Sequence, residues 1–182
     1  MYSIKPQGLS VRVFCDMTSK NGVGVTEIGH DSESRTLVSG CEPEGCYKRT
    51  IKYEISMEQI VAIMNQSKNC EQFIKYECYE SMFLNSGYGW WVSRQGSKMN
   101  YWGGAAVDSG KCACGMNNSC ADGRKCNCDR NDYTWREDSG YLTDKNTLPV
   151  TELRFGDADG VLLSNGQRES GFHTLGKLRC WG

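Results

Sequence analysis

The chain has 182 residues, of which 24% are charged, and its formal net charge is −1. A chain of this length fits one domain with a hydrophobic core of its own. A balanced charge without a basic run excludes nucleic acid as an expected partner. No stretch approaches the roughly 20 apolar residues of a membrane-spanning helix, so we expect no direct insertion of this domain into a membrane.

A strand, a turn and a helix are predicted in the N-terminal third. Residues 11–15 alternate between apolar and polar types, which predicts a short half-buried strand. The pair Asn21-Gly22 then predicts a hairpin turn. Ser56 followed by Gln59 is typical of a capping box at the start of a helix. Apolar residues at helical spacing predict one buried stripe on this helix, formed by Met57, Ile60, Val61 and Met64.

The rest of the chain is predicted to form strands and crosslinked loops. Apolar residues alternate with charged ones over 74–78, which predicts a strand with one face inward. Residues 90–92, 100–102 and 150–155 predict further strands, and the Gly-, Asn-, Asp- and Cys-rich stretch 104–141 predicts loops. We therefore expect an α+β fold with few helices and a mostly antiparallel sheet. It forms one domain (1–182), with an N-terminal hairpin region (1–50) and a central sheet with cysteine-rich loops (51–182).

Eleven cysteines, five of them between positions 112 and 128, indicate an oxidising environment. Two N-glycosylation sequons, at Asn65 and Asn117, agree with a secretory route. The N-terminus has no apolar signal core, so we interpret the chain as an extracellular segment of a longer protein. We expect disulfides, each contributing about 2–4 kcal/mol, to supply stability that a modest core lacks.

Part of the disulfide pairing can be predicted. Cys41 and Cys46 enclose a Glu-Pro-Glu-Gly turn and are expected to bond to each other. Cys70 and Cys78 are expected to reach into the run at 112–128, where cysteines two positions apart would be strained if bonded together. Because the number is odd, at least one cysteine is unbonded or bonds outside the chain. The candidates are Cys15, Cys41, Cys46, Cys70, Cys78, Cys112, Cys114, Cys120, Cys126, Cys128 and Cys180.

Zinc is the alternative use of the clustered thiols. The four ligands would be Cys112, Cys114, Cys126 and Cys128. Their spacing is C-x-C twice, which differs from the C-x₂-C pairs of most structural zinc sites. The oxidising compartment therefore favours disulfides over zinc.

Two segments carry the oxygen ligands that calcium prefers. One contains Asp157 and Asp159, and the other contains Asp129, Asn131 and Asp132. Neither reproduces the EF-hand pattern, because no Glu closes the loop at the required position. The alternative is that these residues simply form turns. Apart from calcium at these positions we expect no cofactor.

No catalytic residue is predicted, and we expect the protein not to be an enzyme. His30 and His173 are far apart in the sequence and lie in no known motif, so we interpret both as surface histidines. The aromatic residues can stack on sugars or anchor a protein partner, although core positions are the more common use. They are Trp90, Trp91, Tyr101, Trp102, Trp135 and Trp181.

Several motifs resemble one known family. They are residues 2–6 (Tyr-Ser-Ile-Lys-Pro), 13–17 (Val-Phe-Cys-Asp-Met), 101–104 (Tyr-Trp-Gly-Gly), 111–115 (Lys-Cys-Ala-Cys-Gly), 126–129 (Cys-Asn-Cys-Asp), 135–142 (Trp-Arg-Glu-Asp-Ser-Gly-Tyr-Leu) and 176–180 (Gly-Lys-Leu-Arg-Cys). Together they resemble the fibrinogen C-terminal-like domain of contactin-associated proteins, the Caspr and neurexin IV group. The resemblance implies a fibrinogen-like fold and a non-enzymatic adhesion or recognition module that binds an extracellular or cell-surface protein.

A more distant resemblance is to the C-propeptides of fibrillar collagens. It rests on the Val-Phe-Cys-x-Met segment, on Ile-x-Tyr-x-Cys at 74–78 and on a cysteine near position 180. This resemblance implies a Cys15–Cys180 bridge, which we favour, and an alternative function as an oligomerisation domain. Ordinary fibrinogen domains imply instead that Cys15 pairs with an upstream cysteine. A calcium-dependent lectin is a further alternative.

Overall fold

The computed structural model describes residues 1–5, 8 and 10–182, so Pro6 of the opening motif lies outside the described residues. The regular elements in chain order are β1 (Tyr2–Ile4), β2 (Val11–Asp16), β3 (Val25–Ile28), β4 (Thr36–Val38), β5 (Tyr47–Thr50), α1 (Met57–Gln66), β6 (Asn69–Tyr79), β7 (Trp90–Val92), β8 (Arg136–Leu142), β9 (Glu152–Phe155) and β10 (Ser170–Trp181). Short 3₁₀ turns lie at Ala113–Met116, Ala121–Gly123 and Cys128–Arg130.

The strands form two antiparallel sheets. The larger one has the order β1-β2-β3-β10-β6-β8, with β4 also paired to β10, and the smaller one has the order β5-β9-β7. Strand β10 pairs with β3 and β4 on one side and with β6 on the other. The mostly antiparallel α+β architecture is therefore confirmed. The first 50 residues contribute β3 and β4 to the same sheet as β6.

The two faces of the larger sheet differ in exposure. On β6, Ile74 and Tyr76 are fully buried, while Phe73, Lys75 and Glu77 are only half-buried. We call the side that carries Phe73, Lys75 and Glu77 the outer face. The alternation of the strand predicted at 74–78 is confirmed, and the strand is longer than predicted because it runs to Asn69 and Tyr79.

The helix begins with the predicted capping box. The Ser56 hydroxyl accepts a hydrogen bond from the Gln59 N–H at 3.2 Å, and Gln59 Oε1 accepts one from the Ser56 N–H at 3.0 Å. Only two members of the predicted stripe, Ile60 and Met64, are fully buried, and the other buried residues of the helix are Ala62 and Ile63. Met57 and Val61 are partly exposed. The helix thus turns a slightly different face toward the sheet than the predicted one.

Aromatic residues join the two sheets. Tyr76 of β6 stacks on Phe155 of β9 with ring centroids 4.2 Å apart. Trp102 meets Phe83 edge-on at 4.7 Å, and its indole N–H donates to the Asp138 carbonyl at 2.9 Å. These contacts place the core between the inner faces of the two sheets.

Four points of the strand and loop prediction need correction. Residues 100–102 form a loop instead of a strand, with Asn100 exposed and the two aromatic residues buried. The next residue, Gly103, lies so close to Gly140 that a Cβ there would come within 2.3 Å of the Gly140 carbonyl oxygen. The stretch 104–141, predicted to form loops, includes all but the last residue of β8. This strand was not predicted because its sequence is mostly polar. Strand β9 begins two residues later than predicted, and the long β10 was not predicted because its apolar pattern breaks at a bulge between Leu175 and Leu178.

Candidate recognition surface

The disulfides partly confirm the predicted pairing. They are Cys41–Cys46, Cys70–Cys180, Cys78–Cys128, Cys112–Cys126 and Cys114–Cys120. The bridge between Cys41 and Cys46 and the reach of Cys78 into the run at 112–128 are confirmed, and no pair joins cysteines two positions apart. The prediction for Cys70 is wrong, because Cys70 lies directly opposite Cys180 in the register of β6 and β10.

The favoured Cys15–Cys180 bridge is also wrong. Thr26 of β3 pairs with Cys15 on one side and with Cys180 on the other, so the two cysteines are two strand spacings apart. That is about 10 Å at about 4.8 Å per strand, beyond the roughly 7 Å over which Cα atoms can be bridged. Among the described residues, Cys15 is the one cysteine without a disulfide, and it is partly buried.

The disulfides leave no thiolates for the alternative zinc site at the four clustered cysteines. Each of the four proposed ligands is bonded to another cysteine: Cys112 to Cys126, Cys114 to Cys120 and Cys128 to Cys78. A disulfide sulfur is not the thiolate that zinc requires.

The Asp129 carboxylate, a predicted calcium ligand, organises a loop. Its Oδ1 accepts hydrogen bonds from the Phe83 N–H at 3.0 Å and from the Ser86 N–H and hydroxyl at 3.1 and 2.6 Å. Its Oδ2 accepts one from the Asn85 N–H at 2.9 Å. These donors use the lone pairs that an ion would need, and calcium at this position stays a prediction.

Of the two neighbouring predicted ligands, Asp132 forms ion pairs with arginines, whereas Asn131 ends a turn. Asp132 binds Arg136 in a fork, with Nε and Nη2 at 2.8 and 2.7 Å, and it also pairs with Arg130 at 2.7 Å. Asn131 ends the 3₁₀ turn in a left-handed conformation with φ 53°. The arginines lower the pKa of Asp132, so this carboxylate already has cationic partners.

The second predicted calcium segment lies among further acidic residues. Carboxylate oxygens of Glu42, Asp157 and Glu169 lie within 4.8 Å of one another. Burial raises the pKa of Glu169 to about 8, aided by its hydrogen bond to Asp159 and by the charge of Asp157. Sequence reasoning missed Glu42 and Glu169 because they come from segments far apart in the chain. Asp159 Oδ1 accepts from the Val161 N–H at 2.7 Å, and Asp157 Oδ2 from the Met82 N–H at 2.6 Å.

Both histidines are buried, so the surface interpretation is wrong. His30 accepts a hydrogen bond from the Ser32 N–H at Nδ1 (3.0 Å), and its Nε2 donates to the Gly176 carbonyl at 2.8 Å. His173 stacks on Phe155, with ring centroids 6.0 Å apart, and its Nε2 lies 2.8 Å from the Tyr47 hydroxyl. Burial lowers the pKa of both, that of His173 to about 4.

Trp135 is the most exposed of the aromatic candidates. Trp91, Tyr101 and Trp102 are core residues with at most 2% exposure, whereas 44% of Trp135 is exposed. Trp90 and Trp181 are intermediate in exposure and lie under the Lys98 and Lys20 ammonium groups, at 3.7 and 4.3 Å. Position in the sequence gave no signal that distinguishes Trp135 from the core aromatics.

Two depressions on the surface share Glu137 as a lining residue. The first, which we call the Trp135 cleft, has a volume of about 410 Å³ and is lined by Arg35, Glu77, Trp135, Arg136 and Glu137. The second, which we call the polar groove, has a volume of about 400 Å³. It shares Glu137 with the first and is further lined by Ala113, Cys114, Asn117, Ser119, Asn127, Asp138 and Ser139.

The two sequon asparagines are both exposed. Asn65 lies in the last turn of α1, and Asn117 follows the first 3₁₀ turn at the edge of the polar groove. Glycosylation at both positions stays a prediction. In the part of the chain that the structure describes, no helix is long and apolar enough to cross a membrane.

The described features define a disulfide-crosslinked, mostly antiparallel domain with an open outer face. No family model matches the chain. It is 37% identical to a part of Neurexin-4 from Drosophila melanogaster over 179 residues, which cover 93% of this chain and 14% of that protein. It is 35% identical to parts of Contactin-associated protein 1 from Mus musculus and from Homo sapiens, covering 100% and 93% of this chain.

These relatives confirm the predicted resemblance to the Caspr and neurexin IV group. The chain spans only 12 to 14% of the length of these relatives. The similarity therefore concerns one segment of much longer proteins.

Proposed function

We propose that this domain is a non-enzymatic recognition module in the ectodomain of an adhesion protein, and that it binds a protein on a cell surface. The observation that carries the proposal is the similarity to Neurexin-4 and Contactin-associated protein 1 over 93 to 100% of the chain. The name of Contactin-associated protein 1 describes association with contactin, and we propose a cell-surface protein as the partner here.

The chemistry of the domain supports an extracellular location. Five disulfides in 182 residues are typical of an oxidising compartment. Both ring nitrogens of His30 have hydrogen-bond partners, and the buried His173 ring contacts Tyr47 and Phe155. The two histidines therefore lie in packed surroundings, which supports a binding role over catalysis. We also propose that the domain has the fibrinogen C-terminal-like fold, on the basis of the ordered cysteine and tryptophan motifs.

Binding to intact cells tests the proposal. The purified domain, fused to an Fc fragment, is expected to bind at least one cell line of a panel saturably in flow cytometry, and to lose binding after the cells are treated with trypsin. The matched control is the same fusion after reduction and alkylation, which removes the folded surface. Equal binding by the folded and reduced forms, or equal binding to trypsin-treated cells, would contradict a protein-recognition function.

We also propose that the domain binds calcium, because the carboxylates of Glu42, Asp157 and Glu169 lie close together. A bound cation would relieve the repulsion among these carboxylates. We expect millimolar calcium to raise the Tm of the domain and to leave the Tm of Asp157→Asn unchanged. The same Tm in calcium and in EDTA would remove both this ion site and the calcium-dependent lectin alternative.

An oligomerisation domain is the alternative function, and it depends on Cys15. This cysteine has no disulfide within the described residues, so it is available for a bond between chains. Size-exclusion chromatography with and without reductant separates the two functions. A monomer under both conditions supports recognition, and a covalent oligomer that reductant dissolves supports assembly.

A further inference from the structure

We propose that the Trp135 cleft binds an uncharged oligosaccharide without the help of a metal ion. The inference deepens the proposed recognition function and rests on it, because it names the chemistry that one surface of the module recognises. It stands on the side chains that line the cleft and on the ion pairs that hold them in position.

The cleft is assembled from three separate parts of the chain. Arg35 precedes β4, Glu77 lies on β6, and Trp135 directly precedes Arg136 and Glu137 of β8. Its volume of about 410 Å³ falls within the range of about 300–1,000 Å³ that small-ligand sites occupy. One aromatic ring and four charged side chains therefore converge on a space large enough for a few sugar units.

Trp135 provides a fixed apolar platform. Its ring contacts Tyr79 with centroids 5.3 Å apart and Phe172 with centroids 5.7 Å apart. The Arg35 guanidinium lies 3.5 Å from the Phe172 ring centroid. These contacts hold the indole in place while 44% of the residue stays exposed. An aromatic face held in this way can stack on the apolar C–H face of a sugar ring at a small entropic cost.

The charges of the cleft balance, which favours an uncharged ligand. Arg35 and Arg136 are matched by Glu77 and Glu137. The Arg35 Nε donates to Glu77 Oε2 at 2.8 Å, and Lys75 lies 3.8 Å from both Glu77 and Glu137. A charged ligand would have to separate one of these pairs and leave its partner without a counter-ion.

Hydroxyl groups fit the same set of side chains. A hydroxyl both donates and accepts, so it can bridge a carboxylate oxygen and a guanidinium N–H at the same time. Arg35 uses its Nε for Glu77, and Arg136 uses Nε and Nη2 for Asp132, which leaves the remaining guanidinium N–H groups for a ligand. A polyhydroxylated molecule with an apolar face therefore matches the cleft.

The adjacent polar groove extends the cleft toward a longer ligand. The two depressions share Glu137, and the groove adds the Ser139 hydroxyl as a further hydrogen-bonding group. The Asn127 amide adds its second N–H, because its oxygen accepts from the Ala121 N–H and its other N–H donates to the Glu137 carbonyl. This continuity favours an oligosaccharide over a single sugar. Asn117 borders the far side of the groove, so a glycan attached there would compete for the same space.

Saturation-transfer NMR in EDTA, with Asn117→Gln as the parent protein, tests the proposal. The probes are oligomannose, N-acetyllactosamine and its sialylated form. We expect at least one neutral probe to bind and the sialylated form to bind more weakly. Trp135→Ala is expected to weaken binding at least tenfold, and Tyr141→Ala, which removes another exposed aromatic of β8, is expected to leave it unchanged.

Further variants keep the test valid if Trp135→Ala unfolds. Arg35→Gln and Glu137→Gln alter side chains that are 51% and 57% exposed, so both are expected to fold and to lose at least threefold in affinity. The absence of binding by any neutral probe at millimolar concentration would overturn the inference. Binding that requires calcium, or that Trp135→Ala leaves unchanged, would overturn it as well.

Cells treated with glycosidases separate this inference from the proposed function. If the Fc fusion binds such cells as well as untreated ones, protein recognition stands and the saccharide inference fails. If that binding also depends on Trp135, the cleft is a protein-docking surface instead. Loss of binding on glycosidase treatment, together with loss in Trp135→Ala, supports the inference.

Discussion

Strands β6 and β10 and the loop segment 104–135 are held in shape by different means. The two strands form a long antiparallel ladder whose inner side chains, such as Ile74 and Leu175, are fully buried. The loop segment has only short 3₁₀ turns and depends on disulfides and on two buried carboxylates, Asp129 and Asp138. A fold can thus keep a stretch of irregular backbone rigid when covalent bonds and charge-assisted hydrogen bonds replace the ladder.

The loop segment lies beside the proposed binding surface, so the way in which it is held in shape bears on binding. The segment supplies one wall of the polar groove, through residues such as Asn117 and Asn127. Strand β6 and its neighbour β8 supply the outer face that carries Glu77 and Glu137. Because binding residues are held best by elements that do not move, the crosslinks position the proposed recognition surface in addition to stabilising the fold.

Among the variants that probe the loop segment, the largest expected effect comes from the bridge that joins it to β6. Removing Cys78–Cys128 with the double substitution to Ser opens a loop with a sequence separation of 50 and is expected to cost about 4 kcal/mol of unfolding free energy. The matched control is the double substitution of Cys41 and Cys46, whose separation is 5, and which is expected to cost about 2 kcal/mol. Urea unfolding measures both.

Equal losses for the two double variants would contradict the loop-entropy account. A loss near zero for Cys78 and Cys128 would show that the loop segment keeps its shape without its bridge to β6.

Asp129 gives the next largest effect. Its carboxylate accepts hydrogen bonds from three backbone N–H groups and from the Ser86 hydroxyl. Asp129→Ala leaves these buried donors without an acceptor, and we expect a loss of about 3 kcal/mol or more in urea unfolding. Ser86→Ala removes one of the four bonds and is expected to cost about 1 kcal/mol. A loss for Asp129→Ala no larger than that for Ser86→Ala would show that the loop is held by other contacts.

Asp138 should make the stability of the loop segment depend on pH. Burial raises its pKa from 3.8 to about 6, with the charges of Asp129 and Glu137 as further causes, against the lowering effect of the Asn127 and Cys128 N–H donors. The folded state therefore binds a proton more tightly than the unfolded chain does. The stabilisation that the protonated Asp138 contributes is present below pH 4 and is lost as the pH rises to about 6. The loss is at most about 3 kcal/mol, at about 1.4 kcal/mol per pKa unit.

The measurement is the difference in unfolding free energy between the parent and Asp138→Asn across pH 4–7. The parent is expected to lose stability relative to the variant as the pH rises to 6, and the difference is expected to stay constant above that pH. A difference that is constant over the whole range would contradict the raised pKa.

The sequence predicted best where local pattern and local structure coincide. The capping box of Ser56 and Gln59 and the alternation around Ile74 are local signals, and both were confirmed. Strand β8 was missed because its buried positions include Asp138, whose burial depends on the N–H groups of Asn127 and Cys128. Such a polar strand has no apolar alternation to detect.

Local sequence patterns predicted even less of the candidate site, because its residues come from distant segments of the chain. The partner of Cys180 depends on which strands are neighbours, and β3 separates Cys180 from Cys15 in a way that no spacing reveals. The Trp135 cleft combines Arg35, Glu77 and Trp135 from distant segments. Topology brings these residues together, and the sequence alone did not predict that topology.

His173 gives the smallest expected effect and a pH dependence opposite to that of Asp138. His173→Phe keeps an aromatic ring against Phe155 but leaves the Tyr47 hydroxyl without its partner at 2.8 Å, so we expect a loss of about 1 kcal/mol at pH 7. Burial lowers the pKa of His173 from 6.5 to about 4, so the unfolded chain takes up a proton that the folded protein does not. This contribution is present above pH 6.5 and is lost as the pH falls toward 4.

The two buried groups can be separated because their slopes oppose each other between pH 4 and 6. Relative to His173→Phe, the parent is expected to lose stability as the pH falls, whereas relative to Asp138→Asn it is expected to gain. If both differences change in the same direction, one of the two groups is charged differently from what its surroundings indicate. Trp135→Ala, on the outer face, is expected to change neither slope, because it contacts neither titrating group.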